Sequence, residues 1–245
     1  MHTWVKRVAV GIMAVLAACC VAFAVYAADY YHAGSTAVGL VEAGEAEESA
    51  VPVVETPAAY AVGDQEAAHG LILYPGAKVD PAAYVPLACE LAQRGVFCAV
   101  VKMPFNFAFF DVNAAGDVMA AYPHVGTWWV GGHSLGGAMA AQFAANNPDK
   151  LAGVALLAAY STADLSGTGL KVETMYGSAD GVLNRQKLAE CEANLPSGAQ
   201  TLVIEGGNHA GFADYGPQDG DGEATISAHD QQVQAAEAIA EAMEG

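Results

Sequence analysis

The sequence predicts an α/β fold, a mostly parallel, doubly wound sheet with helices on both faces, from three observations. From Gly70 onward, short apolar runs alternate with helical patterns, as strands joined by crossover helices do. The stretch Val130-Gly131-Gly132-His133-Ser134-Leu135-Gly136-Gly137 lies between an apolar run and an alanine-rich helical run. A serine, an acid and a histidine then follow one another in chain order at the ends of predicted strands.

The chain opens with a short basic segment ending in Lys6 and Arg7, followed by Val8 to Ala28, which carries no charge. That run is long enough to cross the hydrocarbon layer as a helix, and the two cations would hold the N-terminus inside. A cleaved signal peptide fits Val25-Tyr26-Ala27 loosely, and Leu16-Ala17-Ala18-Cys19 resembles a lipoprotein processing site, but the apolar run continues well past Cys19. Its length favours an uncleaved signal anchor over residues 1–28 with the rest of the chain outside the cell. Residues 29–50, rich in Gly, Ala and Glu, read as a polar spacer. Residues 51–245 read as the α/β domain.

Within that domain, Val51 to Val54 and Ala58 to Val62 read as antiparallel edge strands, consistent with Pro52. Leu71 to Tyr74 is a strand, Pro81 to Arg94 a helix opened by Asp80 and stopped by Gly95, and Val96 to Val101 the next strand. Asp111 to Ala121 is a helix, Thr127 to Val130 a buried strand, and Ala138 to Ala145 the helix after the glycine-rich turn. Ala152 to Ala159, Val172 to Tyr176 and Thr201 to Ile204 complete the strands. Asn184 to Asn194 is a helix, and Ser227 to Met243 closes the chain with an alanine-rich face.

Composition narrows the function classes. Nine basic against 27 acidic side chains give a net charge of −18, which repels an anionic polymer and argues against nucleic acid. Cys19 and Cys20 fall in the apolar leader, and Cys89, Cys98 and Cys191 in the body. Their odd number and spacing predict free thiols, not a disulfide framework or zinc site. The absence of a phosphate-binding glycine loop, a metal-ligand cluster and a basic stripe predicts no cofactor and no metal.

The chemistry is predicted at the carboxyl ends of the strands. Gly-x-Ser-x-Gly at Gly132 to Gly136 is the spelling of a nucleophile elbow, where small neighbours let strand and helix approach around a serine in strained backbone. A serine hydroxyl needs a base, and His209, in Glu205-Gly206-Gly207-Asn208-His209-Ala210, follows a strand suited to supply it. Asp180, in Gly177-Ser178-Ala179-Asp180-Gly181, is the acid expected to orient the imidazole, with Asp164 its rival and Asp214 too close in sequence to His209. The oxyanion donors are expected to be the backbone N–H groups of Leu135 and of Ala77, with Gly76 as the fallback.

Several other residues have less specific readings. His133 would point away from the serine as a packed or surface histidine. Phe105, Phe107, Phe109 and Phe110 read as core or, alternatively, as the wall of an apolar acyl pocket. Asp219-Gly220-Asp221-Gly222-Glu223 lacks the rest of a calcium loop and reads as a flexible acidic segment.

Tyr74 to Pro81, Val101 to Pro104, Gly131 to Gly137, Tyr176 to Gly181 and Gly206 to Ala210 together resemble the α/β hydrolase fold-5 family of bacterial, often membrane-anchored proteins. The likeness runs from about Gly70 to the C-terminus, and Asp29-Tyr30-Tyr31 resembles the exit of the anchor in such proteins. The resemblance implies the α/β-hydrolase fold, a serine nucleophile at Ser134, an acid at Asp180 and a base at His209. Many relatives carry a lid after the strand that follows the elbow helix, whereas Tyr160 to Gly169 is a short polar loop here, so an uncovered site with small or protruding ester substrates is expected. The expected activity is that of a carboxylesterase. An acyltransferase or amidase with the same triad, and a non-catalytic envelope binding protein on the same scaffold, remain as alternatives.

Overall fold

A computed structural model describes residues 2–46 and 50–245. The chain forms two units, one ending at Tyr30 and one comprising Tyr31–Gly245. The first unit is a single helix, α1 (His2–Ala28), in which Trp4–Ala28 is long and apolar enough to cross a membrane.

The second unit begins earlier than the spacer reading of residues 29–50 allows. Ser35–Ala43 forms helix α2 and Glu45–Ala46 forms strand β1. Ala37 is fully buried, Leu40 and Val41 pack on the core, and the Asp214 carboxylate accepts the Ala37 N–H at 2.9 Å. A polar, small-residue composition suggested a linker, but the small side chains let the helix pack closely. Its capping partner lies 177 residues away, beyond any local signal. Glu47, Glu48 and Ser49 of the expected spacer lie outside the described residues.

The remaining strands are β2 (Val51–Glu55), β3 (Ala59–Val62), β4 (His69–Tyr74), β5 (Val96–Val101), β6 (Thr127–His133), β7 (Gly153–Leu157), β8 (Lys171–Gly177) and β9 (Gln200–Ile204). They form one sheet in the order β1-β2-β3-β5-β4-β6-β7-β8-β9. From β5 to β9 every pairing is parallel, and β1, β2 and β3 add antiparallel pairings on one side. The expectation that Val51 to Val54 and Ala58 to Val62 are edge strands is corrected, because β2 pairs with both β1 and β3, and β3 with both β2 and β5.

Five helices cover the faces: α3 (Val85–Gln93), α4 (Ala114–Ala121), α5 (Leu135–Asn146), α6 (Arg185–Cys191) and α7 (Ala228–Glu244). The predicted helix from Pro81 splits into a 3-10 turn, Pro81–Tyr84, and α3, with Pro86 in the first turn of α3 and Asp80 accepting the Ala82 N–H. Ser227 likewise caps α7 through Asp230 N–H at 3.0 Å.

Strand alternation sorts the interior into two cores. Leu71 and Leu73 face the cluster that includes α3 and α7, while Ile72 and Tyr74 face the one that includes α4 and α5. Each such fully buried aliphatic side chain contributes about 1.5–3 kcal/mol relative to exposure. Cys89 and Cys98 lie in the first core as free thiols, and burial pushes the Cys89 thiol up to about 12. The β7–β8 connection, residues 158–170, contains neither helix nor strand, so no large lid is inserted there. The parallel strands thus aim the loops after β4, β6, β7, β8 and β9 at one edge of the sheet.

Candidate active site

Ser134 sits between β6 and α5 with φ 54° and ψ −123°, a conformation that L-residues rarely adopt and that costs about 1–3 kcal/mol. Three glycines permit it by close approach. A Cβ at Gly132 would lie 2.5 Å from the Gly136 carbonyl carbon, one at Gly136 would lie 2.2 Å from Tyr74 O, and one at Gly137 would lie 2.5 Å from the Ala159 methyl. The Ser134 N–H donates to Leu157 O at 2.9 Å, which ties the turn to the end of β7.

Asp180 and His209 follow β8 and β9 and meet in the interior. Both are buried, and His209 Nδ1 lies 3.0 Å from Asp180 Oδ2. Asp180 Oδ1 accepts the N–H groups of Val182 at 2.9 Å and Leu183 at 2.8 Å. Burial pushes the Asp180 carboxyl up, but the His209 contact and these two amides outweigh it and leave its pKa below the ordinary carboxylate value. The carboxylate therefore stays ionised and fixes the imidazole with Nδ1–H toward it. His209 Nε2 is buried without a hydrogen-bond partner among the described residues.

His209 and Ser134 line one pocket of about 420 Å³ with Leu135, Met139, Tyr160 and Val182. No hydrogen bond joins the Ser134 hydroxyl to Nε2 among the described residues. A larger cavity of about 510 Å³, between α2 and α3, includes none of these residues.

The residues named as oxyanion donors divide. The Leu135 N–H opens α5 and the Ala77 N–H lies on the loop after β4, and neither donates elsewhere among the described residues. Gly76, the fallback, is ruled out because its N–H donates to the Tyr84 hydroxyl at 2.9 Å. The rival acids are also accounted for. Asp164 is exposed and bonded to Ser166, and Asp214 caps α2.

Other expectations change. Phe105, Phe109 and Phe110 are exposed and none lines the Ser134 pocket, so the phenylalanine stretch is neither plain core nor its acyl wall; only Phe107 is buried. His133 is packed, with its ring 4.5 Å from that of His209 and Nδ1 2.8 Å from the Tyr84 hydroxyl. Burial, reinforced by His209, pushes its pKa well down and keeps it neutral.

Two supports of the base loop were missed. The Asp221 carboxylate accepts N–H groups from His209 at 3.1 Å, Ala210 at 2.9 Å and Gly181 at 3.1 Å, clamping together the loops that carry His209 and Asp180. The acidic segment around it is thus tethered, not flexible. Buried Gln231 on α7 accepts the Asn208 N–H at 3.0 Å and donates to Asn208 O at 2.8 Å. Asp221 stood out in the sequence only as one of several alternating acids, and nothing local distinguishes it from Asp219.

A family model described as "Alpha/beta hydrolase family" matches residues 70–233. No curated protein sequence matches the chain. Among solved structures, Est1E from Butyrivibrio proteoclasticus with ferulic acid bound superposes with a TM-score of 0.57 at 13% identity, covering 80% of this chain and 97% of that one. TT1662 from Thermus thermophilus gives 0.57 at 14%, covering 79% and 97%. A dienelactone hydrolase from Anabaena variabilis gives 0.54 at 14%, covering 79% and 95%. At these identities the likeness is one of fold.

Proposed function

Since the chain belongs to the alpha/beta hydrolase family, we propose that it is a serine hydrolase, a carboxylesterase acting on small or exposed esters through Ser134, His209 and Asp180. The observation that carries this reading is the buried His209, which lines the same pocket as Ser134, with Nδ1 held by Asp180 at 3.0 Å and Nε2 without a hydrogen-bond partner among the described residues.

In this mechanism Ser134 Oγ attacks the acyl carbon while His209 Nε2 takes the hydroxyl proton, and Asp180 stabilises the imidazolium. The tetrahedral oxyanion is held by the N–H groups of Leu135 and Ala77. His209 then gives its proton to the leaving alkoxide, and the C–O bond to it breaks. Water, deprotonated by His209, attacks the acyl-serine and releases the acid with Ser134 restored. The open β7–β8 loop supports exposed substrates, and the chain uses no cofactor or metal in this scheme. Trp4–Ala28 acts as a signal anchor that leaves the domain outside the membrane.

The test is hydrolysis of nitrophenyl esters of rising acyl length by the purified full chain and by Ser134→Ala. Turnover by the wild type that favours short acyl groups and is lost in the variant is expected. A folded wild type that hydrolyses no member of the series would favour the binding-protein reading. Product analysis with added alcohols or amines separates hydrolysis from acyl transfer.

A further inference from the structure

Four of the chain's eight phenylalanines fall between 105 and 110. Two 3-10 turns, Pro104–Asn106 and Ala108–Phe110, carry them out from the end of β5. Phe107 is buried, while Phe105, Phe109 and Phe110 are 60%, 46% and 47% exposed. The Phe109 and Phe110 rings lie 4.4 Å apart and those of Phe105 and Phe110 5.5 Å apart, so the three form one aromatic surface. Phe105 and Asn106 are consecutive non-glycine residues in the left-handed region, at φ 55° and 58°, which is strained for a phenylalanine. A strained backbone that presents clustered aromatic rings to solvent is a mark of a functional contact.

The hydrogen bonds around this loop identify what it meets. The Lys78 N–H donates to Asn106 O at 2.8 Å, the Tyr31 N–H to Lys78 O at 2.7 Å, and the Asp80 N–H to Tyr31 O at 2.9 Å. Lys78 is itself left-handed, at φ 59°. The aromatic loop is thus tied through one residue to Tyr31, where the compact unit begins. The apolar helix ends at Ala28, three residue steps before Tyr31, a reach of at most about 11 Å. If that helix spans a bilayer, covalent connection alone keeps Tyr31, and the loop bonded to its neighbourhood, at the lipid surface.

We propose that Phe105, Phe109 and Phe110 form a membrane-docking surface that seats their rings at the boundary between headgroups and acyl chains of the bilayer holding Trp4–Ala28; this rests on the anchoring in our functional reading. Phenylalanine rings on an interfacial surface bury at that boundary, which removes their apolar area from water. The net charge of −18 sets the lipid class, since an anionic surface repels the domain and a zwitterionic one does not. The docked loop adjoins the site, because Lys78 follows Ala77 and the Ala108–Phe110 turn packs on α5.

The full chain, with Cys19, Cys20 and Cys191 replaced by alanine, is reconstituted into phosphatidylcholine vesicles carrying a nitroxide at Phe109→Cys or, as a control, at exposed Ser197→Cys before β9. Flotation with the vesicles reports anchoring; accessibility to dissolved oxygen against a water-soluble nickel complex reports depth. Docking predicts an oxygen-to-nickel ratio several-fold higher at 109 than at 197, which falls to the control value when Phe105→Ser and Phe110→Ser are added. Flotation with an aqueous reading at 109, or a ratio unmoved by the serine pair, overturns docking while leaving the anchor intact. Failure to float overturns both.

Discussion

Nδ1 of His209 lies 3.0 Å from Oδ2 of Asp180, both residues are buried, and His209 lines the same pocket as Ser134. Asp180→Asn keeps the shape but offers an amide where a carboxylate fixed the tautomer. We expect kcat on a nitrophenyl ester to fall by about three to four orders of magnitude with KM little changed.

The same pair has a pH signature. The folded pKa of Asp180 lies below its unfolded value, so the group stabilises the fold above the ordinary carboxylate range, and this contribution is lost as pH falls through the depressed value. Denaturant titrations of wild type and Asp180→Asn at neutral pH and near pH 3 are expected to show a gap that narrows in acid.

Asp221 acts through its neighbours, holding the N–H groups of His209, Ala210 and Gly181. Asp221→Ala is expected to lower kcat by roughly 10²-fold through misplacement of the imidazole. KM should stay close to wild type. Asp221→Asn, which keeps an acceptor oxygen for the His209 and Gly181 N–H groups, should retain more of kcat than Asp221→Ala, a difference that simple loss of folded protein would not produce.

Gly136 has no room for a methyl group, because a Cβ there would meet Tyr74 O at 2.2 Å and Pro75 O at 2.3 Å. Gly136→Ala should cost about 1–3 kcal/mol in denaturant unfolding and should also displace the loop bearing Ala77, so that residual activity falls further than stability.

The Tyr84 hydroxyl accepts the Gly76 N–H and meets His133 Nδ1 at 2.8 Å. Tyr84→Phe leaves a buried donor unpaired and should cost about 1–3 kcal/mol, read as a lower unfolding midpoint.

The fold and the Ser134, Asp180 and His209 positions were legible because their signals are local: strand runs alternate with helical ones, and each loop follows its own strand. What was missed depends on distant partners. Helix α2 reads as a spacer until Asp214 caps it, and Asp221 reads as a solvated acid until the His209 loop folds onto it. Gly76 could not be ruled out as a donor without Tyr84, whose hydroxyl occupies its N–H only once the 3-10 turn before α3 is formed. The exposed phenylalanines defeated a reading from hydrophobicity alone, since the sequence does not show which way strained backbone at Phe105 turns the rings.

The most direct test of the central claim is peptide mass mapping after treatment of the full chain with a fluorophosphonate. The account predicts a single phosphonylated residue, Ser134, with labelling abolished in Ser134→Ala and strongly slowed in His209→Ala. A folded wild type that takes no label at Ser134, or labels as fast without His209, would contradict it.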